Sequence, residues 1–247
     1  MLTSPEFWEG LIKILGVNIV LSGDNAVVIA LASRSLPVHL RSKAIWLGAG
    51  GAVVLRLIFC FFIVELMAIP YLKIIGAVLL VWIGVKMLVP EHEENGEDEN
   101  GNGAAAGIWA AVKTIVVADA VMSLDNVIAI VAAAKGDIVL IGVGLAISVP
   151  LIIYGSTLIL KILIRYPIFV ALGAGLIGWI AGEIWISDPA IAGWSKGLID
   201  RHGHWLETAA AALGAVSVVV AGKLIARSVV AKRERKALVD LAAGENK

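Results

Sequence analysis

The chain has 247 residues, of which 60 % are hydrophobic and only 16 % charged, and its 20 Lys and Arg balance its 20 Asp and Glu. Soluble domains carry roughly 45–50 % apolar and about 25 % charged residues, so the composition excludes an ordinary soluble domain and places the chain in a membrane. The balanced charge points to no class of partner, and no nucleic-acid partner is expected. Cys60, the single cysteine, cannot form an internal disulfide and reads as a small core residue.

The N-terminus, "MLTSPEFWEG", carries only Glu6 and Glu9 as charges and lacks a basic region, so no cleaved leader is expected and the first span should be kept. A helix needs about 20 apolar residues to cross a hydrocarbon core of roughly 30 Å. Seven stretches qualify, at about 8–32, 44–66, 70–89, 108–134, 138–160, 167–186 and 205–226. The predicted fold is all-α, a polytopic bundle of seven transmembrane helices. Trp8, Trp46, Trp109 and Trp205 near span starts suit interfacial anchors.

Arg34, Arg41, Lys43, Lys86, Lys113, Lys161, Arg165 and the basic residues of 223–247 fall on one side of this arrangement; Lys73, Lys135, Lys196 and Arg201 fall on the other. The positive-inside rule then puts the N-terminus outside and the C-terminus in the cytoplasm.

The first and fourth spans carry related polar motifs, "NIVLSGDNAVVIALA" (18–32) and "DAVMSLDNVIAIVAA" (119–133). At an offset of 101, Asn18 meets Asp119, Ser22 meets Ser123, Asp24 meets Asp125 and Asn25 meets Asn126. At an offset of 97, Pro70, Gly76, Ala77, Trp82 and Ile83 meet Pro167, Gly173, Ala174, Trp179 and Ile180, and between them "LGAGGAV" (47–53) resembles "IGVGLAI" (141–147). Matched Ser, Asp, Asn, Pro and Trp are more than shared apolarity would give. Spans 1–3 and 4–6 thus read as two copies, and because three is odd the second enters the membrane the opposite way. Transporters with inverted repeats bind substrate near the midplane between the halves. The expected organisation is a first three-helix repeat (1–90), an acidic Gly- and Asn-rich cytoplasmic linker (91–107), a second repeat (108–187), an outer loop with a seventh helix (188–226) and a basic tail (227–247).

A charge at the centre of a spanning helix costs at least ~2.5–3.5 kcal/mol. Asp24, Asp119 and Asp125 each carry that cost, which a bound cation would offset. Carboxylate, amide and hydroxyl oxygens are hard donors suited to Mg²⁺, Ca²⁺ or Mn²⁺. The candidate metal-contacting set is Asn18, Ser22, Asp24, Asn25, Asp119, Ser123, Asp125 and Asn126. On a regular helix Asp24 and Asp125 sit about 100° from the face of their neighbours. Either they straddle a helix–helix seam or the helix loosens there, and Gly23 permits a break in the first copy where Leu124 does not in the second.

Arg56, deep in the second span, needs a partner and can balance one of these acids. Glu65, Glu183 and Lys86 lie near span ends, where they can line an access path or snorkel to the interface. "EHEENGEDENGNG" (91–103) is expected to be a disordered cytoplasmic linker. It opens like a calcium loop at Asp98 but has Trp109 where the closing Glu is required. "HGH" (202–204) is too short for a metal site, and "AKRERK" reads as an anchor on anionic lipid. Gly178 and Gly182, and "GAGG" in the second span, suggest close helix contacts. No Walker, Rossmann or HExxH motif occurs, so neither ATP-driven pumping nor any enzymatic activity is expected.

With "NIVLSGDNAVVIA" and "DAVMSLDNVIAIVAA" in view, the chain resembles the TerC family of integral membrane proteins, in its short bacterial YjbE-type branch. The likeness covers about residues 8 to 226. It implies a cation exporter of the bacterial inner membrane built from three-helix inverted repeats and linked to manganese. It further implies that Asp24, Asn25, Asp125 and Asn126 contact metal, with Asn18 and Asp119 close by. Some relatives carry an acid where Asn18 stands, so this first half-site is less charged. The expected function is alternating-access export of a divalent cation, most of all Mn²⁺ as transported substrate, with Ca²⁺ or Mg²⁺ as alternatives. A membrane-embedded assembly partner is the rival reading. Beyond the cation and the bilayer, a homo-oligomer is left open.

Overall fold

The computed structural model describes residues 5–21, 23–89, 102–135, 137–191, 193 and 205–244. Among the described residues the chain is helical throughout: α1 (Pro5–Leu21), α2 (Gly23–Ser33), α3 (Val38–Ala68), α4 (Leu72–Leu88), α5 (Asn102–Ala133), α6 (Ile138–Arg165), α7 (Ile168–Ile186) and α8 (Trp205–Gly244). The acidic linker at 91–101, Ser22 and "HGH" lie outside the described residues. The linker's last positions, 102–107, are helical, so α5 begins before the predicted start at 108. Likewise α8 does not stop near 226 but runs on to Gly244.

Among the described residues, five helices are long and apolar enough to cross a membrane: α3, α5, α6, α7 and α8. The first predicted span is two helices, Phe7–Asn18 and Gly23–Ser33, bent by 52° at a short break, and as one broken span they make a sixth. α2 begins at Gly23, directly after the break. In the second copy, with Leu124 at that position, α5 is continuous from Asn102 to Ala133. α4 starts two residues later than predicted, at Leu72, because Tyr71 before it takes a left-handed conformation (φ 67°). Its 17 residues fall short of a comfortable crossing length.

Large apolar side chains cover the outside, including Val54, Phe61, Val64, Tyr154, Leu158, Leu213 and Val220. Water would not tolerate so broad an apolar surface, and hydrocarbon would. Inside, one core gathers α2 through α7 around Ile45, Leu80, Ile115 and Ile177, and a second joins α1, α5 and α6 around Ile14, Ile130 and Leu145. Half-buried Cys60 packs at the edge of the second core, as a small core residue should.

Packing follows a reciprocal pattern. α3 lies along α5 while α6 lies along α1 and α2, and α4 pairs with α7. Gly48 of α3 admits Ile115 of α5, and Gly144 of α6 admits Ile14 of α1. Ile14 and Ile115 are mates at the offset of 101. Gly48 and Gly144 stand 96 apart, not the 94 that the alignment of 47–53 with 141–147 implies. The buried positions agree with 96: Ala44, Ile45, Gly48, Ala49 and Ala52 correspond to Leu140, Ile141, Gly144, Leu145 and Ser148. Two glycine-rich motifs can be laid over each other in more than one register, and packing selects the one that buries matching faces.

α7 and α8 make the closest crossing. A Cβ on Gly178 would strike the carbonyl oxygen of Gly214, one on Gly182 that of Ala210, and one on Gly214 that of Gly178. These obstacles are backbone and cannot swing aside. Gly214→Ala therefore forces the helices apart and should destabilise the chain by about 1–3 kcal/mol, the usual cost of overpacking. A fall in detergent melting temperature checks this; an unchanged midpoint would show that α8 is loosely docked.

Candidate functional site

The polar residues of the two motifs meet where α2, α1, α3 and α5 converge, and they organise around one salt bridge. Arg56 of α3 donates from Nη2 to Asp119 Oδ1 of α5 at 2.6 Å and from Nη1 to Asn18 Oδ1 of α1 at 2.7 Å. Asn25 of α2 donates from Nδ2 to Asp119 Oδ1 at 2.8 Å, and Ser123 Oγ donates to Asp119 Oδ2 at 3.0 Å. Asn18, Asn25, Arg56, Asp119 and Ser123 are all buried. Asn18, Asn25, Asp119 and Ser123 thus come together as the motif spacing predicts, and Arg56 finds its acid in Asp119.

Asn25 Oδ1, in a residue only 2 % exposed, has no hydrogen-bond partner among the described residues. A buried carbonyl oxygen left so is costly unless a ligand meets it. Beside it Asp24, half-buried in the first turn of α2, accepts from the Asn25 backbone N–H at 2.8 Å. The positive end of the α2 dipole favours an acid there. No salt bridge neutralises Asp24 among the described residues. Around Gly23 a Cβ would meet nothing within 4 Å, so the break borders open space.

Asp125 stands apart. It is six residues beyond Asp119, which on a continuous helix means a rise of about 9 Å and a turn of roughly 240°. It therefore looks toward α4 instead of α1 and α2. Its partner is Lys73, whose Nζ donates to Asp125 Oδ1 at 2.6 Å and to Ser187 Oγ at 3.3 Å. Asn126, the next residue, is half-buried. Of the alternatives that spacing leaves open, the first copy loosens and the second straddles a seam. Among the described residues, no group of three or more His, Cys, Asp and Glu side chains is gathered as a metal site.

Lys73, counted among the basic residues of the outer side, is the second residue of α4 and only 6 % exposed. Its backbone position is fixed by Asp188, just after α7, which no motif marks. Asp188 accepts from the backbone N–H groups of Tyr71 (2.9 Å), Lys73 (3.0 Å), Ile74 (3.1 Å) and Ala190 (2.7 Å). The first three open α4, whose own N-cap side chain makes no cap bond. Burial raises the Asp188 pKa, but the four amide donors outweigh it and hold the carboxyl below its ordinary value of 3.8. A lowered folded-state value means that this contribution to stability is complete above the ordinary value and is lost as pH falls through the lowered one. Asp188→Ala should cost about 1–3 kcal/mol at neutral pH, and melting curves from pH 7 to about pH 3 should fall less steeply for the variant than for wild type.

The remaining end-of-span charges are local. Trp179 Nε1 donates to Glu183 at 2.7 Å, Lys86 lies 5.8 Å from the centre of the Trp82 ring, and Glu65 is exposed on α3.

A bundle of apolar helices with a broad apolar exterior and polar groups gathered inside is the build of a polytopic membrane protein. Residues 3–235 match the model of the integral membrane protein TerC family, and the chain belongs to that family. It is 38 % identical over 187 residues to the uncharacterized membrane protein YjbE of Bacillus subtilis (strain 168), covering 76 % of this chain and 84 % of that one. It is 26 % identical to YkoY of the same organism, over 72 % of this chain and 60 % of the relative. With the inner membrane protein YoaE of Escherichia coli (strain K12) it shares 32 % over 143 residues, half of this chain but only 27 % of YoaE. No solved structure matches the chain. It is a multi-pass membrane protein.

Proposed function

We propose that the chain is a secondary transporter that exports a divalent cation, Mn²⁺ before Ca²⁺ or Mg²⁺, across the bacterial inner membrane by alternating access. The observation that carries this is the uncompensated acid at a helix break: Asp24, beside the unpartnered Asn25 Oδ1 and the open space at Gly23. The five charged groups of the two polar clusters, Asp24, Asp119, Asp125, Arg56 and Lys73, leave one net negative charge, which suits a cationic cargo. Each of those charges costs at least ~2.5 kcal/mol to place in a membrane, so a purely scaffolding use is expensive. The cargo would take Asp24 and Asn25 with backbone carbonyls freed at the break, and Asp125 further along. Such a partial shell suits an ion that keeps some of its water.

The reciprocal packing supports two inverted repeats related by an axis through the α4–α7 and α1–α5 contacts. In that arrangement α4 serves as the third of seven spans, reaching about 25 Å with its 17 residues. The basic end of α8 supports a cytoplasmic C-terminus and, with seven spans, an N-terminus outside.

Purified chain in vesicles holding a Mn²⁺-sensitive dye should carry manganese faster than protein-free vesicles, and Asp125→Asn should slow the flux. Equal flux in all three overturns the transport reading. The closed Arg56–Asp119–Asn18 network favours a second reading, a membrane assembly partner whose polar groups only staple helices. Millimolar Mn²⁺ should then leave the melting midpoint unmoved, whereas a binding site raises it by mass action.

A further inference from the structure

Two cations sit on the acids of α5, but they are held differently. Arg56 is 2 % exposed and its fork is shared between Asp119 and Asn18. Lys73 holds an acid whose side chain is 48 % exposed, through a single ammonium on a flexible stem. Its place is electrostatically poor: the first turn of α4 is the positive end of a helix dipole, which disfavours a cation. Burial of an ammonium there is sustained by Asp125. The ammonium already donates to a second acceptor, Ser187 Oγ, at 3.3 Å, and the backbone beneath is pinned by Asp188. The side chain can therefore leave Asp125 without moving α4.

Resting on the transport reading above, we infer that Lys73 is a tethered counter-ion that competes with the transported divalent cation for Asp125. In the resting arrangement the ammonium occupies the carboxylate. An arriving divalent ion displaces it toward Ser187, and its return helps expel the ion. A doubly charged ion outbids the ammonium for the carboxylate where a singly charged one does not, so Lys73 sets specificity for charge as well as release. The repeat mate at the offset of 97 is Val170, so only one half-site carries this device.

The test compares full-length wild type with Lys73→Gln, which keeps a hydrogen-bonding side chain without charge, and with Lys73→Met and Lys73→Arg. Mn²⁺ binding is read from the metal dependence of the melting midpoint, and flux from vesicles. Lys73→Gln and Lys73→Met should lower the Mn²⁺ concentration for half-saturation by about tenfold, while the maximal flux falls because release slows, so that KM and kcat drop together. Lys73→Arg restores the weaker wild-type half-saturation. In an Asp125→Asn background, Lys73→Gln should have no further effect. If Lys73→Met does not fold, Lys73→Gln decides. Unchanged or weaker Mn²⁺ binding in Lys73→Gln, with wild type binding normally, overturns the inference alone. A wild type that neither binds nor carries Mn²⁺ overturns the transport reading beneath it.

Discussion

Asp119→Leu should both unfold the bundle's centre and stop metal flux. The substitution removes the carboxylate from the buried salt bridge of Arg56, 2 % exposed, and strips Asn25 Nδ2 and Ser123 Oγ of their acceptor. Breaking a buried pair from one side costs about 3–5 kcal/mol, because the surviving charge keeps its desolvation cost and loses its attraction. That is a large share of the marginal stability of a folded chain. Removing both charges is different: Arg56→Met with Asp119→Leu should recover most of the loss, since apolar side chains of similar volume often replace buried ion pairs at little cost. Melting in detergent measures the single and double changes, and their non-additivity gives the coupling. Flux should stay low in the double variant, because the site then presents neither the acid nor the cation that shapes it. Wild-type flux in the double variant would reduce the pair to a helix staple.

Much of this arrangement is written in the sequence, for stated reasons. Long, mostly apolar runs fix α3, α5, α6 and α7 because a membrane helix needs length and apolarity and little else. Gly23 against Leu124 marks where a break is permitted while leaving a seam as the alternative, and the shared-face spacing of Asn18 with Asn25 and of Asp119 with Ser123 matches their burial; Asn126 is half-buried, and Ser22 lies outside the described residues. Lys73 was legible too, though by a different cue. With Gly76, Ala77, Leu80 and Gly84 it forms one stripe at i+3, i+4, i+7 and i+11, all of them buried. A lysine on the small-residue face of a helix points at a neighbour, not at water. Counting charges by side places Lys73 outside but does not show that it is buried. Asp188 has no such cue. Its acceptors' partners lie 114 to 117 positions away, and nothing local distinguishes it from any acid that follows a span. The two-residue shift in the repeat register has the same root: glycine motifs slide over one another until packing chooses between them.

Asp24→Asn should separate what Asp119→Leu confounds, by abolishing transport while leaving the fold intact. Asparagine matches aspartate in shape and its carbonyl oxygen can keep the bond from the Asn25 backbone N–H. No salt bridge is lost, since Asp24 has none among the described residues, and an uncompensated charge is removed from the bundle. Stability should therefore stay within about 1 kcal/mol of wild type, since only a favourable dipole interaction is forfeited. The cargo loses far more. Two unit charges 4 Å apart attract by about 4 kcal/mol at an effective dielectric of 20, and a divalent ion doubles the stake. Even a fraction of this is a hundredfold in affinity, since 1.4 kcal/mol is tenfold. Mn²⁺ flux should fall at least about a hundredfold, and the Mn²⁺-dependent rise in melting midpoint should vanish while the metal-free midpoint holds. Full flux from Asp24→Asn would mean that the free acid at the helix break does not touch the cargo, and the ion would then have to pass by Asp125 alone.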